Sequence, residues 1–381
     1  MSGSRSKTIR EVGQLGELMP VPEAQRAALG QVLGRFEVRV TRHLEPLIAQ
    51  SEAVARQFLP DVREVEGLGE ARCFSGLLAT GVPGVERMYL DRCIVMPHPV
   101  CPAYCRYCFR KFYQHGAGSA MSEEQLDQAL AFIAGDPRLR EVLITGGEPV
   151  MDKRRLSHLL SGLRRIPQIG PIRVACRSLV LAPELIDDQL IALLSAHQDL
   201  RAGKPLEIAC HINHPDEISA PTVERIVALR HAGLSLYNQT VLLRGINCDA
   251  SILLALFRRL RSYGVESYYL FFAGPVAGMD HQRPRIDEAL AIKAELRRQA
   301  TGRLNPRFIV TTRIGKVELG VDGRIVEREA DGRHLWIKTP YALAELQAVD
   351  PAFRLPDDCY LADDGAIVVR YLDGPLPAAK P

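Results

Sequence analysis

The chain has 381 residues, 47% apolar and 24% charged, and its 48 basic and 45 acidic residues leave a formal net charge of +3. That balance excludes a disordered chain and gives no electrostatic footprint for nucleic acid or an acidic membrane surface. Nine cysteines without a paired framework, and a start that lacks the apolar core of a signal peptide, predict a cytoplasmic protein; with no apolar run of about 18 residues, no membrane span is expected.

Residues 10 to 85 read as a helical N-terminal extension, with apolar residues at helical spacing over 24–44. Short apolar or β-branched runs follow at 92–96, 141–145, 172–176, 207–211, 236–242 and 267–272. Amphipathic stretches alternate with them, at 123–134 behind a Ser122/Gln125 capping box, 154–165, 217–232 and 250–263. Alternation at about 30 residues per unit predicts parallel βαβ units, an α/β fold. Six units suit a partial (β/α)6 barrel whose chemistry follows the strand ends. After a helix at 287–300 and a strand at 308–312, turns at Val321-Asp322-Gly323 and Ala362-Asp363-Asp364-Gly365 predict a small β-rich tail. The expected divisions are 1–86, 87–302 and 303–381.

In the loop after the first strand stands Cys101-x-x-x-Cys105-x-x-Cys108. Thiolates at that spacing can hold three irons of a 4Fe-4S cluster and leave the fourth open to a small molecule. The competing readings are a zinc site with His98 as fourth ligand, or three thiols that merely lie close; the distant second cysteine pair of a structural zinc knuckle is missing. Cys73, Cys93, Cys176, Cys210, Cys248 and Cys359 read as buried free thiols. With Tyr107 before the third cysteine, the segment resembles the signature of radical S-adenosylmethionine enzymes. One strand later, Thr145-Gly146-Gly147-Glu148 would alone be read as a loop. Beside the cysteine segment it resembles the Gly-Gly-Glu/Asp motif that binds the amino group of S-adenosylmethionine.

Arg110, Arg177, His211-Ile-Asn213-His214-Pro215, Asn238-Gln239-Thr240 and His281-Gln-Arg283 follow in an order and spacing similar to the lysine 2,3-aminomutase family, from about residue 89 to 317. Membership implies a second cofactor, pyridoxal 5'-phosphate, held as a Schiff base by a lysine; the match is Lys316, preceded by Gly315 where the family has a longer glycine run. Without the family, Lys316 is a turn lysine, and Lys338 is the next candidate. The resemblance further implies Tyr89 on the cofactor ring and Arg87 at its phosphate. It implies cofactor contacts from Arg177, His211, His214, Asn238, Gln239 and Tyr107, the last standing where the lysine enzymes carry histidine. Arg110 would grip the substrate α-carboxylate. It also implies a flavodoxin or ferredoxin as electron donor, and a homo-oligomer.

In the lysine enzymes two aspartates grip the distant ammonium of the substrate. Alignment puts Gly274 at one position and Thr311 or Thr312 at the other. The expected substrate is therefore a neutral or acidic α-amino acid, with Arg92 and Arg313 available to its side chain, unless Asp280 or Asp287 replaces the missing carboxylates. The expected activity is a radical, pyridoxal-phosphate-dependent 2,3-aminomutase. The alternatives are epimerisation, dehydrogenation or decarboxylation by the same radical machinery, and a lysine or protein-lysine aminomutase. A non-catalytic iron-sulfur sensor or electron carrier has no use for the Gly-Gly-Glu and Asn-Gln segments.

Overall fold

The structure is a computed structural model that describes residues 6–71, 78, 80–87, 89–112, 119–320 and 324–376. Two short strands, β1 (Ser6–Ile9) and β2 (Val38–Thr41), pair in the N-terminal extension. Then come β3 (Val85–Arg87), β4 (Arg92–Val95), β5 (Glu141–Ile144), β6 (Ile172–Cys176), β7 (Leu206–Cys210), β8 (Ser235–Leu242), β9 (Val265–Phe272), β10 (Arg307–Thr312) and β11 (Gly315–Glu318). These nine form one sheet in the order β11-β10-β9-β8-β7-β6-β5-β4-β3. Strands β4 to β10 run parallel, and β3 and β11 close the two edges antiparallel.

Period-two alternation explains why the sheet has a covered and an open face. In β8, Leu236, Asn238, Thr240 and Leu242 are buried, whereas Tyr237, Gln239 and Val241 are only partly so and face the concave lumen. Helices including Glu123–Gly135, Lys153–Arg164, Ala220–His231 and Ala250–Ser262 link successive strands. The first carries the expected cap: the Gln125 amide donates to Ser122 Oγ at 3.1 Å and the Ser122 amide to Gln125 Oε1 at 2.9 Å, a feature worth about 1 kcal/mol. The sheet curls until its edges face each other, so that Lys316 Nζ on β11 lies 5.7 Å from the ring of Tyr89, between β3 and β4. The partial barrel is as expected, with one parallel strand more, because β10 joins beyond residue 302.

The N-terminal extension is not purely helical, since β1 and β2 build a small antiparallel sheet; four-residue alternations such as Val38-Arg-Val-Thr41 are too short to stand out against a helical pattern. It packs against the cysteine loop, where the Tyr104 amide donates to Arg39 O at 3.0 Å and the Arg106 amide to Gln57 O at 2.8 Å. Beneath them Arg106 grips buried Glu64 at 2.9 and 2.7 Å, and Lys111 adds a third charge at 3.5 Å. Burial opposes the charge on Glu64, but the two cations outweigh it and hold the carboxyl below its ordinary range.

The C-terminal strands β12 (Ile325–Arg328), β13 (His334–Ala342), β14 (Cys359–Leu361) and β15 (Ala366–Leu372) form the expected small antiparallel sheet, in the order β12-β13-β15-β14. The 362–365 turn is closed by the Gly365 amide on Ala362 O at 2.8 Å; the turn expected at 321–323 lies outside the described residues. Among the described residues no helix is long and apolar enough to cross a membrane.

Candidate active site

The cysteine loop and the Gly-Gly-Glu turn form one unit at the C-terminal end of the sheet. The Gly147 amide donates to His98 O at 2.8 Å and the Glu148 amide to Val100 O at 2.9 Å. A Cβ on Gly147 would stand 2.2 Å from Val100 O, so only glycine lets the two loops touch. The three cysteines are half-buried; desolvation raises their thiols, Glu148 and each other's charge raise Cys101 further, and Cys108 is pushed up to about 11. Only a strong cation makes thiolates of them. Among the described residues, Glu329, Asp331 and His334 are the group of three possible ligands whose donor atoms lie within 4.8 Å of one another. The cysteines form no such group, with or without His98. Ligands of one tetrahedral zinc lie roughly 3.8 Å apart, given Zn–S bonds of about 2.3 Å. A 4Fe-4S cluster bound through three thiols is the group that their spacing suits.

Glu148 fits the ammonium role. Its Oε2 accepts from the Arg177 amide at 2.9 Å, but its buried Oε1 has no partner, and burial pushes the carboxyl up to about 7. A polar network extends from there. Arg177 donates to Gln57 Oε1 at 3.1 Å, to Glu217 at 3.0 Å and to His211 O at 3.0 Å. Gln57 Oε1 also accepts from Asn213 Nδ2 at 3.0 Å and faces Tyr107 Oη at 3.4 Å. Tyr107 Oη in turn accepts from Asn213 at 2.6 Å and lies 3.2 Å from His211 Nε2. Burial, reinforced by Arg177, holds His211 well below its ordinary pKa, so its ring is neutral.

Lys316 projects into the lumen. Its Nζ lies 4.7, 5.3 and 5.7 Å from the ring centroids of Phe271, Tyr269 and Tyr89. Burial first, then Arg92, Arg173 and Arg110, hold its ammonium well below its ordinary pKa. That shift favours the neutral, nucleophilic form of the amine. Gly315 has φ +118°, and a Cβ there would meet the Tyr341 ring at 2.8 Å, so the glycine sets the hairpin that aims the lysine. Arg110, whose Nε is buried without a partner, acts electrostatically on both Cys108 and Lys316. Lys338 instead pairs with Asp364 at 2.6 Å, outside the lumen.

Several sequence expectations need correction. Arg87 does not face a phosphate: its guanidinium is taken up by Asp136, Leu90 O and Tyr89 O. Asn238 lies on the covered face and binds Ile212 N and O and Thr240 instead of a cofactor, leaving Gln239 in the lumen. Arg313 sits on an outer groove with Glu70 at 3.2 Å and Asp358 at 3.1 Å. His214 caps the Pro215–Glu217 turn, its Nδ1 accepting from the Asp216 amide at 3.2 Å. Sequence reasoning missed Gln57, and also Glu141, Arg173 and Glu207, whose signal was charge recurring near the start of neighbouring strands.

Comparison with known proteins accords with this geometry. The profile of the Radical SAM superfamily matches residues 95–275. A protein of Aquifex aeolicus (strain VF5) named "Putative L-lysine 2,3-aminomutase" is 32% identical over 88% of this chain and 90% of its own. The L-lysine 2,3-aminomutase of Clostridium subterminale is 27% identical over 79% and 73%, and the glutamate 2,3-aminomutase of Clostridioides difficile (strain 630) is 29% identical over 80% and 72%. With the thiol triad, the Gly-Gly-Glu turn and the lumen lysine all within the matched length, the chain belongs to the lysine 2,3-aminomutase family of radical S-adenosylmethionine enzymes and is an isomerase.

Proposed function

We propose that the enzyme is a pyridoxal-phosphate-dependent 2,3-aminomutase that converts a neutral or acidic α-amino acid into its β-isomer. The observation that carries this reading is Lys316, a half-buried lysine among three aromatic rings whose ammonium is disfavoured by desolvation and by Arg92, Arg173 and Arg110. A reduced 4Fe-4S cluster on Cys101, Cys105 and Cys108 would cleave S-adenosylmethionine to give a 5'-deoxyadenosyl radical, and pyridoxal phosphate on Lys316 would supply a ring that delocalises the unpaired spin. Glu148 Oε1 accepts from the ammonium of S-adenosylmethionine. Tyr89 and Tyr269 flank the ring site. Arg110, between Cys108 and Lys316, holds the substrate α-carboxylate and so fixes which hydrogen meets the radical. A flavodoxin or ferredoxin supplies the electron.

Raised to about 7, the Glu148 carboxyl is ionised above that value and protonated below it. S-adenosylmethionine affinity is therefore expected to fall as pH drops through about 7, and Glu148→Gln to weaken binding and flatten that profile. Calorimetric titration on either side of this pH checks it; an unchanged slope in the variant counts against the assignment.

The substrate preference rests on charge. Gly274 carries none, Thr312 Oγ1 donates to Gly315 O at 2.9 Å, Asp280 is bound by Arg283 and Arg333, and Asp287 by Arg328. In the lumen, Glu141 and Glu207 are both held by Arg173. An ammonium buried without a carboxylate costs several kcal/mol. Anaerobic turnover of a mixed amino-acid pool should yield the β-isomer of a neutral or acidic member, and lysine reacting fastest would sink the preference.

A further inference from the structure

The lumen beneath Lys316 is built to hold something the roles above do not use. Three buried guanidinium nitrogens there have no partner: Arg92 Nε, Arg110 Nε and Arg173 Nη1. Arg110 belongs to the cluster side, whereas Arg92, the first residue of β4, and Arg173, the second of β6, form the floor. Glu141 joins them, at 3.4 Å from Arg92 and 2.6 Å from Arg173, and Glu207 holds Arg173 from the next strand at 3.2 Å. The rings of Tyr237 and Tyr268 lie 5.4 and 5.6 Å from the Arg173 guanidinium. One edge of that guanidinium is thus fixed while Nη1 is left over, along with the buried hydroxyls of Tyr237 and Ser267. Desolvated donors grouped without acceptors are unfavourable unless a ligand supplies them. The unpartnered guanidinium nitrogens are all donors, so the missing ligand brings acceptor oxygens.

We propose that Arg173, with Arg92, forms an oxyanion-binding site on the lumen floor beneath Lys316. The proposal rests on the reading of Lys316 as the cofactor's attachment point. Two groups of the same chemistry qualify, the phosphate ester of pyridoxal phosphate and the side-chain carboxylate of an acidic substrate. The phosphate has the stronger claim, because Arg87 is already committed to Asp136. A planar guanidinium held at one edge offers its other edge to two oxygens at once.

The test titrates wild type, Arg173→Met and Arg173→Lys with pyridoxal phosphate and with pyridoxal, which lacks the phosphate, and follows the imine absorbance. If the site holds the phosphate, Arg173→Met weakens pyridoxal phosphate by roughly 10- to 100-fold more than it weakens pyridoxal, which shares any effect on Lys316 itself. Arg173→Lys keeps a cation against Glu141 and Glu207, guards against misfolding, and falls in between. If the site holds the substrate carboxylate, the ratio of the two cofactor forms stays constant and the variants instead lose their spectral response to glutamate relative to alanine. Identical behaviour of all three proteins in both arms overturns the site. Wild type that forms no imine with either compound overturns the attachment at Lys316, and the site with it.

Discussion

Replacing Cys101, Cys105 or Cys108 singly with alanine is expected to give protein that stays colourless after anaerobic reconstitution and leaves S-adenosylmethionine intact. Two remaining thiolates cannot hold three irons of a cubane, so the loss should be complete rather than graded. The loop itself should survive, because its shape is kept by backbone bonds from Tyr104 to Arg39, Arg106 to Gln57 and Glu148 to Val100, none of which involves a thiol. Circular dichroism should accordingly match wild type while the iron content falls. A triple alanine variant that still cleaved S-adenosylmethionine at the wild-type rate would falsify the radical reading.

Lys316→Met should abolish amino-acid isomerisation by orders of magnitude while S-adenosylmethionine cleavage persists, since Lys316 stands among Phe271, Tyr269 and Tyr89 on the edge opposite the thiol loop. Borohydride reduction of the holoenzyme should label Lys316 and spare Lys338, and mass spectrometry finding the reverse would refute the assignment. The same variant has an effect on stability that can be signed. The folded-state pKa of Lys316 lies well below its ordinary 10.5, so between those values the unfolded chain binds more protons. Stability of the apoprotein therefore rises with pH across that window, and the burden of the lysine is greatest below its folded pKa. Lys316→Met should raise the melting temperature of the apoprotein near neutrality, and the gain should vanish as pH approaches 10.5. A gain independent of pH would mean that packing, not charge, is responsible.

What the sequence disclosed was what it encodes within a few residues. Three cysteines in eight positions, and glycine pairs that only a close backbone approach requires, carry their chemistry locally. Asn238 and Gln239 show where local reading fails, because adjacent strand residues point to opposite faces and only one of an attractive pair reaches the lumen. Arg87 failed for a related reason, since its edge strand turns the side chain toward Asp136. Gln57 had no signal at all: it lies in the helix Glu52–Phe58, 50 residues before Tyr107, and only the docking of the extension brings it to the network. Glu141, Arg173 and Glu207 looked like solvent-facing charges, because alternation tells that a strand has two faces but not that one of them lines a cavity.

The curl of the sheet has a consequence beyond the placement of side chains. The thiol loop follows β4, next to one edge, whereas Lys316 rides on β11, the other edge, and the six strands between them, β5 to β10, count as the arm of a caliper. The gap between its jaws, from radical source to attachment point, is set by the summed twist of every strand pair rather than by any single loop. Substitutions on the remote strands β6 or β7 that alter twist without touching a ligand should therefore change which hydrogen is taken, and with it the fidelity of the product.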